Sequence, residues 1–499
     1  WQAVHPQARR QPAIDAPAEY AAQSWKPEDA LRELLRGRLG GLGPTPVPPL
    51  AAALGVDTSD VELALIRLQS EGYVMQGHFS PDTPAIEWCE RHLLARIHRY
   101  TLGRLRREIA PVSRRDFLRF LLDWQHVTPA TRMSGPDALP AVLAQLEGYE
   151  AAAGAWEAEL LPARLDDYGS RWLAGQCRAG RIGWSRLRPG CSGGGPVRAT
   201  PIVLLPRRQM GVWASVAERD DADAPALSSR AQAVADALRD EGALFFDELM
   251  ASTRLLRTEL EDALGELVAA GRVTADSFAG LRALLLPAAK RDNPRHRRVR
   301  HHSLSTLEDA GRWALVRARA PREESDEAHR RDQVEHVART LLQRYGVVFW
   351  KLLEREAAWL PSWRELRHVY QRLEARGEIR GGRFVDGLVG EQFALPDAIP
   401  ALRSIARRDA SGELVVVSGC DPLNLNGSVL AGERIPAVIG TRILFEDGVA
   451  VAAWVSGKVQ WLVEGDGERQ QRWREVVSVK GSASRAWFQA GEPAAAAER

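Results

Sequence analysis

Residues 50–79 read LAAALGVDTSDVELALIRLQSEGYVMQGHF, and this stretch decides the fold class. It predicts a short helix that Gly55 closes, a longer helix that one of residues 57–59 can cap and Gly72 ends, and then an alternating, strand-like segment. Residues 29–38, just ahead of it, predict another helix. Three helices followed by a glycine-containing strand pair are typical of the winged helix-turn-helix, which we therefore predict here.

The same order of elements recurs along the chain. A second copy runs from residue 231 to about residue 286, and a third runs from residue 332 to residue 395. Residues 84–187 are more helical, with a long amphipathic helix predicted over residues 86–108, and we interpret this region as one or two expanded modules. Its other predicted helices are residues 114–124, 138–146 and 172–180, and its predicted strands are residues 181–185, 201–205 and 212–216.

The tail has a different pattern. Residues 413–463 alternate short apolar segments with turn signals at residues 446–448 and 456–458, which are typical of β-hairpins. We therefore predict a small β-barrel or sandwich in this region. Its predicted strands are residues 414–417, 435–438, 442–445, 449–455 and 459–462.

Together these patterns predict a mainly α fold with small β parts, in which four to five tandem winged-helix modules precede a C-terminal β-barrel. The predicted divisions are an N-terminal extension (1–25), a winged helix (26–83), an expanded helical and winged-helix region (84–225), a winged helix with a basic linker (226–302), a further winged helix (303–405), and the β-barrel with the C-terminal tail (406–499).

The composition excludes several classes of protein. With 45% hydrophobic and 26% charged residues, the chain is globular rather than disordered or collagen-like. Four widely spaced cysteines without a C-x-x-C pair argue against a zinc site or a disulfide framework, and they fit a cytoplasmic protein. No apolar run reaches the roughly 18 residues of a membrane span. Residues 1–10 show no signal-peptide pattern and no initial methionine, so we expect a fragment of a longer protein.

Residues 326–329 spell D-E-A-H, the motif that binds magnesium and water in helicase ATPases. That motif needs a buried strand before it and a phosphate-binding G-x-x-x-x-G-K-[ST] loop upstream. A charge run, residues 322–325, precedes it here, and the chain contains no such loop. We therefore interpret the motif as a coincidence and expect no cofactor in this chain.

Basic residues are the candidate nucleic-acid contacts, although the net charge is only +2. Residues 290–302 read KRDNPRHRRVRHH, which suits a phosphate backbone and is equally typical of a solvated linker. Residues 98–107 carry a basic stripe, and the last helix of the third copy has a basic face, although such helices also pack against protein. The predicted nucleic-acid-binding residues are Arg99, Arg104, Arg107, Lys290, Arg291, Arg295, Arg297, Arg298, Arg300, Arg364, Arg367 and Arg372.

Two polar segments stand at breaks in the pattern. Residues 124–129 (WQHVTP) end a helix with a glutamine and a histidine before a proline, and residues 421–427 (DPLNLNG) lie near the start of the tail. Helix capping, core packing and turn formation are the ordinary roles of such residues.

Several segments together resemble the C-terminal region of the bacterial large helicase-related (Lhr) family. They include RYTLGRLRREI (99–109), FLLDWQHVTP (120–129), WEAELLPAR (156–164), RGEIRGGRFV (376–385) and GEQFALP (390–396), with residues 421–425 and 432–437 in the tail. The resemblance implies that an ATP-dependent 3′–5′ DNA helicase core, which uses ATP and magnesium, precedes this region in the parent protein. It also implies a DNA partner (a single strand or an RNA:DNA hybrid), a homo-oligomer of tetramer type, and a role in DNA repair.

The architecture is also similar to that of the AlkZ family of DNA glycosylases, which use a Gln-x-Gln or Gln-x-Asp pair to place the attacking water. Gln125 matches the first position, but Val127 stands at the second and cannot act as an acid or base. A glycosylase needs a carboxylate near the flipped nucleotide, for which Asp421 is one candidate and Asp123 another.

Three hypotheses therefore remain open. The chain is the DNA-binding and oligomerisation region of an Lhr-type repair helicase, a DNA glycosylase acting on uracil or an alkylated base through Gln125 and Asp421, or an array of the transcription-factor type.

Overall fold

The computed structural model describes residues 1–9, 11, 24–81, 83–107, 110–188, 197–217, 226–285, 311–316 and 326–479. The chain divides into two compact units, residues 1–108 and residues 109–499. None of the described helices combines the length and the apolar character that a membrane crossing needs.

The first unit has the element order of a winged helix, as its sequence predicts. Its elements are α1 (Pro27–Leu39), β1 (Thr45–Pro46), α2 (Val47–Leu54), α3 (Thr58–Ser70), β2 (Val74–Gly77), β3 (Glu87–Glu90) and α4 (Arg91–Arg107). The sheet order is β1-β3-β2, with both pairs antiparallel. Leu35, Leu65 and Leu68 are fully buried where the three helices meet, so the apolar spacing in the sequence marks the core.

The helix predicted over residues 86–108 begins only at Arg91, which corrects that prediction. Residues 87–90 are the second arm of the wing instead, and two buried carboxylates explain the change. Glu87 accepts two backbone N–H groups of the wing loop at 3.0 and 2.8 Å, which closes the loop. Glu90 accepts two N–H groups of the first turn of α4 at 2.8 and 2.6 Å, which starts the helix there.

The second unit begins with the expanded region. Its elements are α5 (Arg114–Trp124), β4 (Met133–Ser134), a 3₁₀ turn (Pro136–Ala138), α6 (Leu139–Gln145), β5 (Ala151–Ala152), α7 (Ala153–Ala155), a π-helical turn (Trp156–Leu160), α8 (Leu161–Arg164), β6 (Leu165–Asp166), α9 (Ser170–Arg178), β7 (Ile182–Ser185), a 3₁₀ turn (Val197–Ala199), β8 (Pro201–Pro206), a 3₁₀ turn (Arg207–Gln209) and α10 (Met210–Val216). The bounds of α5 agree with the prediction because Ser113 caps it and its apolar face is buried. The strand predicted at residues 212–216 is wrong: this segment lies in α10, where Trp213 and Val216 stand one turn apart and are both buried.

The second copy follows the predicted order. Its elements are α11 (Ser229–Asp240), α12 (Phe246–Thr253), α13 (Arg257–Ala269), β9 (Val273–Ala275), α14 (Phe278–Leu284) and β10 (Trp313–Leu315). Strands β9 and β10 pair antiparallel to form its wing. Leu260, Leu264 and Leu267 of α13 are fully buried, and the Cβ position of Gly265 lies 3.2 Å from Val197 of the expanded region. Helix α13 therefore packs against protein at these positions.

The third copy also follows the predicted order. Its elements are α15 (Asp326–Tyr345), β11 (Val347–Phe349), a 3₁₀ turn (Trp350–Arg355), α16 (Trp363–Ala375), β12 (Arg380–Gly382) and β13 (Gln392–Ala394), and α17 (Ala398–Arg407) follows it. The sheet order is β11-β13-β12. The D-E-A-H segment occupies the first turn of α15.

The tail contains β14 (Leu414–Ser418), β15 (Arg442–Glu446), β16 (Val449–Val455), β17 (Lys458–Trp461) and α18 (Gly467–Ser478). The four strands form an antiparallel meander in sequence order, and α18 packs against it through Trp473 and Val477. The strand predicted at residues 435–438 is wrong. Nδ2 of Asn424 donates a hydrogen bond to the backbone carbonyl of Ile435 at 3.0 Å, and the segment forms a loop. Within residues 406–479 the predicted barrel is thus confirmed only as an antiparallel sheet.

Candidate functional site

The structure brings the two predicted catalytic residues, Gln125 and Asp421, onto one arginine. Arg164, at the end of α8, donates to both carboxylate oxygens of Asp421 at 2.7 and 3.0 Å. The same guanidinium donates to Oε1 of Gln125 at 2.6 Å. All three side chains are fully buried. Arg164 was missing from the sequence-based set, because only the fold brings residues so far apart in the chain together.

Gln125 continues this arrangement into the third copy. Its Nε2 donates to the backbone carbonyl of Arg344 at 2.9 Å, and the Arg344 guanidinium pairs with Glu356 and reaches the carbonyl of Glu147. Tyr345 donates to the same Glu356 carboxylate at 2.6 Å. We call the set Arg164, Asp421, Gln125, Arg344 and Glu356 the buried polar cluster. It joins the expanded region, the third copy and the tail.

Burial in this cluster has a chemical consequence. A fully buried side chain whose donors and acceptors face protein cannot touch a substrate in this arrangement. The observed contacts of Gln125 and Asp421 are structural, and their catalytic assignment stays a prediction. Nearby, burial and then the charge of Asp421 raise the pKa of Tyr149, whose hydroxyl donates to the carbonyl of Cys420 at 2.9 Å. That phenol therefore stays neutral.

An open cleft of about 510 Å³ lies beside the cluster, between the C-terminal end of α5 and helix α17. We call it the Asp123 cleft. Its walls carry a carboxylate, an indole, an imidazole, an amide and a guanidinium. The lining residues are Phe120, Asp123, Trp124, His126, Gln145, Ala401, Ser404, Ile405 and Arg408. Asp123, the alternative carboxylate in the sequence analysis, is thus the one that borders open space.

The polar groups of the cleft are fixed by their neighbours. One oxygen of Asp123 accepts from the Thr128 hydroxyl at 2.7 Å, and the other lies 3.3 Å from a guanidinium nitrogen of Arg408. Nδ1 of His126 lies 3.0 Å from the carbonyl of Thr131, so this nitrogen carries the proton and donates. His126 has a φ of 58°, a strained conformation for a residue other than glycine, and strain of this kind clusters at functional sites.

A second acid lies close to this group. Burial, followed by the negative charge of Asp123, raises the pKa of Glu413 above its usual value. Arg408 lies between the two carboxylates, with Glu413 at 3.9 Å. Asp123 and Arg408 in the wall of the cleft therefore interact with a second acid just outside it, an arrangement suited to proton transfer and to binding a polar ring.

The predicted nucleic-acid contacts differ in their surroundings. Arg364 and Arg372 are exposed on α16, while Arg367 is half-buried, with Glu391 at 3.7 Å. Arg372 lies 4.0 Å from Glu335. Arg99 and Arg104 are exposed on α4, and Arg107 ends that helix. The predicted contacts outside the described residues are Lys290, Arg291, Arg295, Arg297, Arg298 and Arg300.

The described residues contain no group of three or more histidine, cysteine, aspartate or glutamate side chains that could hold a metal ion. The titratable and charged groups that line the Asp123 cleft are one carboxylate, one imidazole and one guanidinium.

Two curated relatives match most of the chain. An "Lhr helicase/probable uracil glycosylase" from Mycolicibacterium smegmatis is 28% identical over 479 residues, covering 91% of this chain and 30% of that protein. An "Lhr helicase/uracil glycosylase" from Escherichia coli K12 is 27% identical over 465 residues, covering 85% of this chain and 28% of that protein. The chain thus spans less than a third of the length of these relatives.

Two family models described as "Large helicase-related protein, winged-helix domain" match residues 112–207 and residues 327–414. The first match covers most of the expanded region, including α5 and Arg164, and the second covers the third copy. Over these two stretches the chain carries winged-helix domains of the large helicase-related type, and its similarity to both relatives is consistent with the C-terminal region of such a protein.

Proposed function

We propose that this chain is a DNA-binding region of an Lhr-type protein that excises uracil from DNA, with the Asp123 cleft as its active site. The cleft carries the proposal, because it places a carboxylate, an aromatic ring and hydrogen-bond donors around an open space. The names of both relatives include uracil glycosylase, which supports this choice of reaction.

The chemistry assigns a role to each group. Water adds to C1′ of the flipped nucleotide, the bond from C1′ to the base nitrogen breaks, and the base leaves with the bonding electrons and takes up a proton. Asp123 accepts the proton of the water and stabilises the positive charge that develops on the sugar. Arg408 stabilises the negative charge on the departing base, and the indole of Trp124 offers a face for stacking.

The experiment is single-turnover excision from a uracil-containing single-stranded oligonucleotide, followed by alkaline cleavage of the abasic product. Asp123→Asn keeps the size of the side chain and is expected to lower the rate about 10²- to 10⁴-fold. Asp137→Asn, an exposed carboxylate on the 3₁₀ turn before α6, is the matched control. A wild-type chain that releases no uracil, or an Asp123→Asn variant with an unchanged rate, refutes the proposal.

As a second candidate, we propose that the first unit holds copies of the chain together, as a tetramer, beside an ATP- and magnesium-dependent helicase core. Helix α3 supports this, because Leu63 and Ile66 are more than half exposed on it and Asp60 and Glu62 lie beside them. An acidic, apolar face repels phosphate and favours protein contact. Light scattering tests the idea: Leu63→Asp with Ile66→Asp should lower the mass, whereas Leu256→Asp, at an exposed helix cap, should not. A monomeric wild-type chain rejects it.

A further inference from the structure

The wing of the third copy ends in an exposed apolar tip. Strands β12 and β13 are joined through residues 383–391, and Val389 near the end of this loop is 91% exposed, the highest value among the large hydrophobic residues described as exposed. Gly387 and Gly390 on either side have positive φ angles of 68° and 101°, which let the loop turn sharply. A tight turn thus presents one branched apolar side chain to solvent.

Hydrogen bonds fix the first residues of this loop. Buried Gln392 binds the N–H groups of Phe384 and Val385 at 2.8 Å each and donates to the carbonyl of Val385 at 2.9 Å. The backbone of Val112, just before α5, makes two further bonds of 2.8 Å with the loop, to Phe384 and Asp386. A Cβ on Gly387 would meet the Arg114 guanidinium at 2.9 Å. The tip is therefore a fixed projection.

The same winged-helix copy exposes basic side chains. Arg380 and Arg383 are exposed on the wing, and Arg364 and His368 are exposed on α16. Among the described residues, none of these four side chains forms an ion pair with an aspartate or glutamate. Glu378, at the start of the wing, is paired with Arg339 instead. The tip also exposes Asp386, so the positive charge lies on the arms of the wing and on α16. Exposed arginines on the same module as a projecting apolar tip complement a phosphate backbone with stacked bases inside it.

We propose that Val389 is a wedge that enters duplex DNA and unstacks a base step, while Arg380 and Arg383 bind the flanking phosphates. The inference rests on the proposed function only in taking DNA as the partner, since it assigns a second contact away from the Asp123 cleft. Helix α5 runs from the support of the wing at Arg114 to the cleft at Asp123, nine residues further on. At 1.5 Å per residue this is about 14 Å, or about four base-pair steps. The support of the wing and the cleft are therefore close enough along α5 for one short duplex to contact both.

The test uses a uracil-free duplex with 2-aminopurine placed at successive positions, since 2-aminopurine fluoresces more strongly when unstacked. The wild-type chain should raise the emission several-fold at one step. Val389→Ser should abolish that rise while the dissociation constant, from fluorescence anisotropy, changes less than about threefold. Val438→Ser, another exposed valine (59% exposed), is the matched control. No rise with the wild-type chain, or an equal rise with Val389→Ser, overturns the wedge.

The phosphate contacts have a separate readout. Arg380→Ala with Arg383→Ala should weaken binding to the same duplex and reduce the slope of log affinity against log salt by about two. An unchanged slope overturns this part of the assignment. Neither the fluorescence nor the binding of the uracil-free duplex requires excision. Failure of the proposed excision therefore appears as a wild-type chain without product, whereas failure of the wedge appears only in the fluorescence of the uracil-free duplex.

Discussion

Replacing Asp421 with asparagine tests whether that carboxylate is structural or catalytic. In the folded chain Asp421 neutralises Arg164 through two hydrogen bonds of 2.7 and 3.0 Å, and neither side chain is exposed. Asparagine keeps the size but removes the charge, and it can turn an NH₂ group toward the guanidinium. Removing one partner of a buried ion pair costs about 3–5 kcal/mol, since the other charge is left without compensation.

The assay is urea unfolding followed by tryptophan fluorescence, for which buried Trp156 and Trp184 serve as reporters. We expect Asp421→Asn to unfold at clearly lower urea, Asp137→Asn to match the wild type, and Arg164→Met with Asp421→Leu to recover most of the loss. An Asp421→Asn chain that is as stable as the wild type refutes the reasoning. If that stable chain has also lost excision activity, the carboxylate is catalytic.

Three further predictions follow from local geometry. Gly148→Ala should destabilise the chain by about 3 kcal/mol in calorimetry, since φ is 73° and the new Cβ would lie 2.2 Å from the Trp213 ring. Burial alone raises the pKa of Asp447, but backbone bonds such as the 2.8 Å bond from Gly412 outweigh it and lower the pKa. A lowered pKa stabilises the fold above the unfolded-state pKa and stops doing so as pH falls through the folded value, so Asp447→Asn should cost less stability at pH 3 than at pH 7 in urea titrations. Arg364→Glu should weaken DNA binding and lower the salt slope by at least about one in anisotropy titrations, and an unchanged slope would exclude a phosphate contact there.

The sequence predicts those parts of the fold in which local spacing decides the structure. Helix α5 has the predicted bounds because its cap and its apolar face lie within eleven residues. Residues 212–216 alternate like a strand but form a helix. In that helix the indole of Trp213 is buried and donates a hydrogen bond to the distant Glu147 carboxylate at 2.8 Å. Residues 435–438 are apolar and still form no strand, because the side chain of Asn424 donates a hydrogen bond to the backbone carbonyl of Ile435. Local patterns fail where a distant partner decides.

The candidate site shows the same limit. Gln125 and Asp421 are selected from the sequence because they are polar residues at interruptions of the helix and strand pattern. In the fold both are buried and accept hydrogen bonds from Arg164. Asp123 is the other carboxylate candidate from the sequence, and only the fold shows that an open cleft lies between it and α17. An arginine at the end of a short helix gives no local sign of an ion pair. Exposure and pairing are properties of the fold, so these roles could not be assigned from spacing.

The bond between Arg164 and Asp421 joins residues 257 positions apart. A contact of that span can form only after most of the second unit has been synthesised, and loops of this length are slow to close. Until then the guanidinium that ends α8 has to remain in water, so the expanded region cannot complete its own interior during translation. The modules of the second unit therefore do not fold independently of one another. A chain shortened before the tail is expected to stay loosely packed around Arg164 and to aggregate, even though its winged helices are complete.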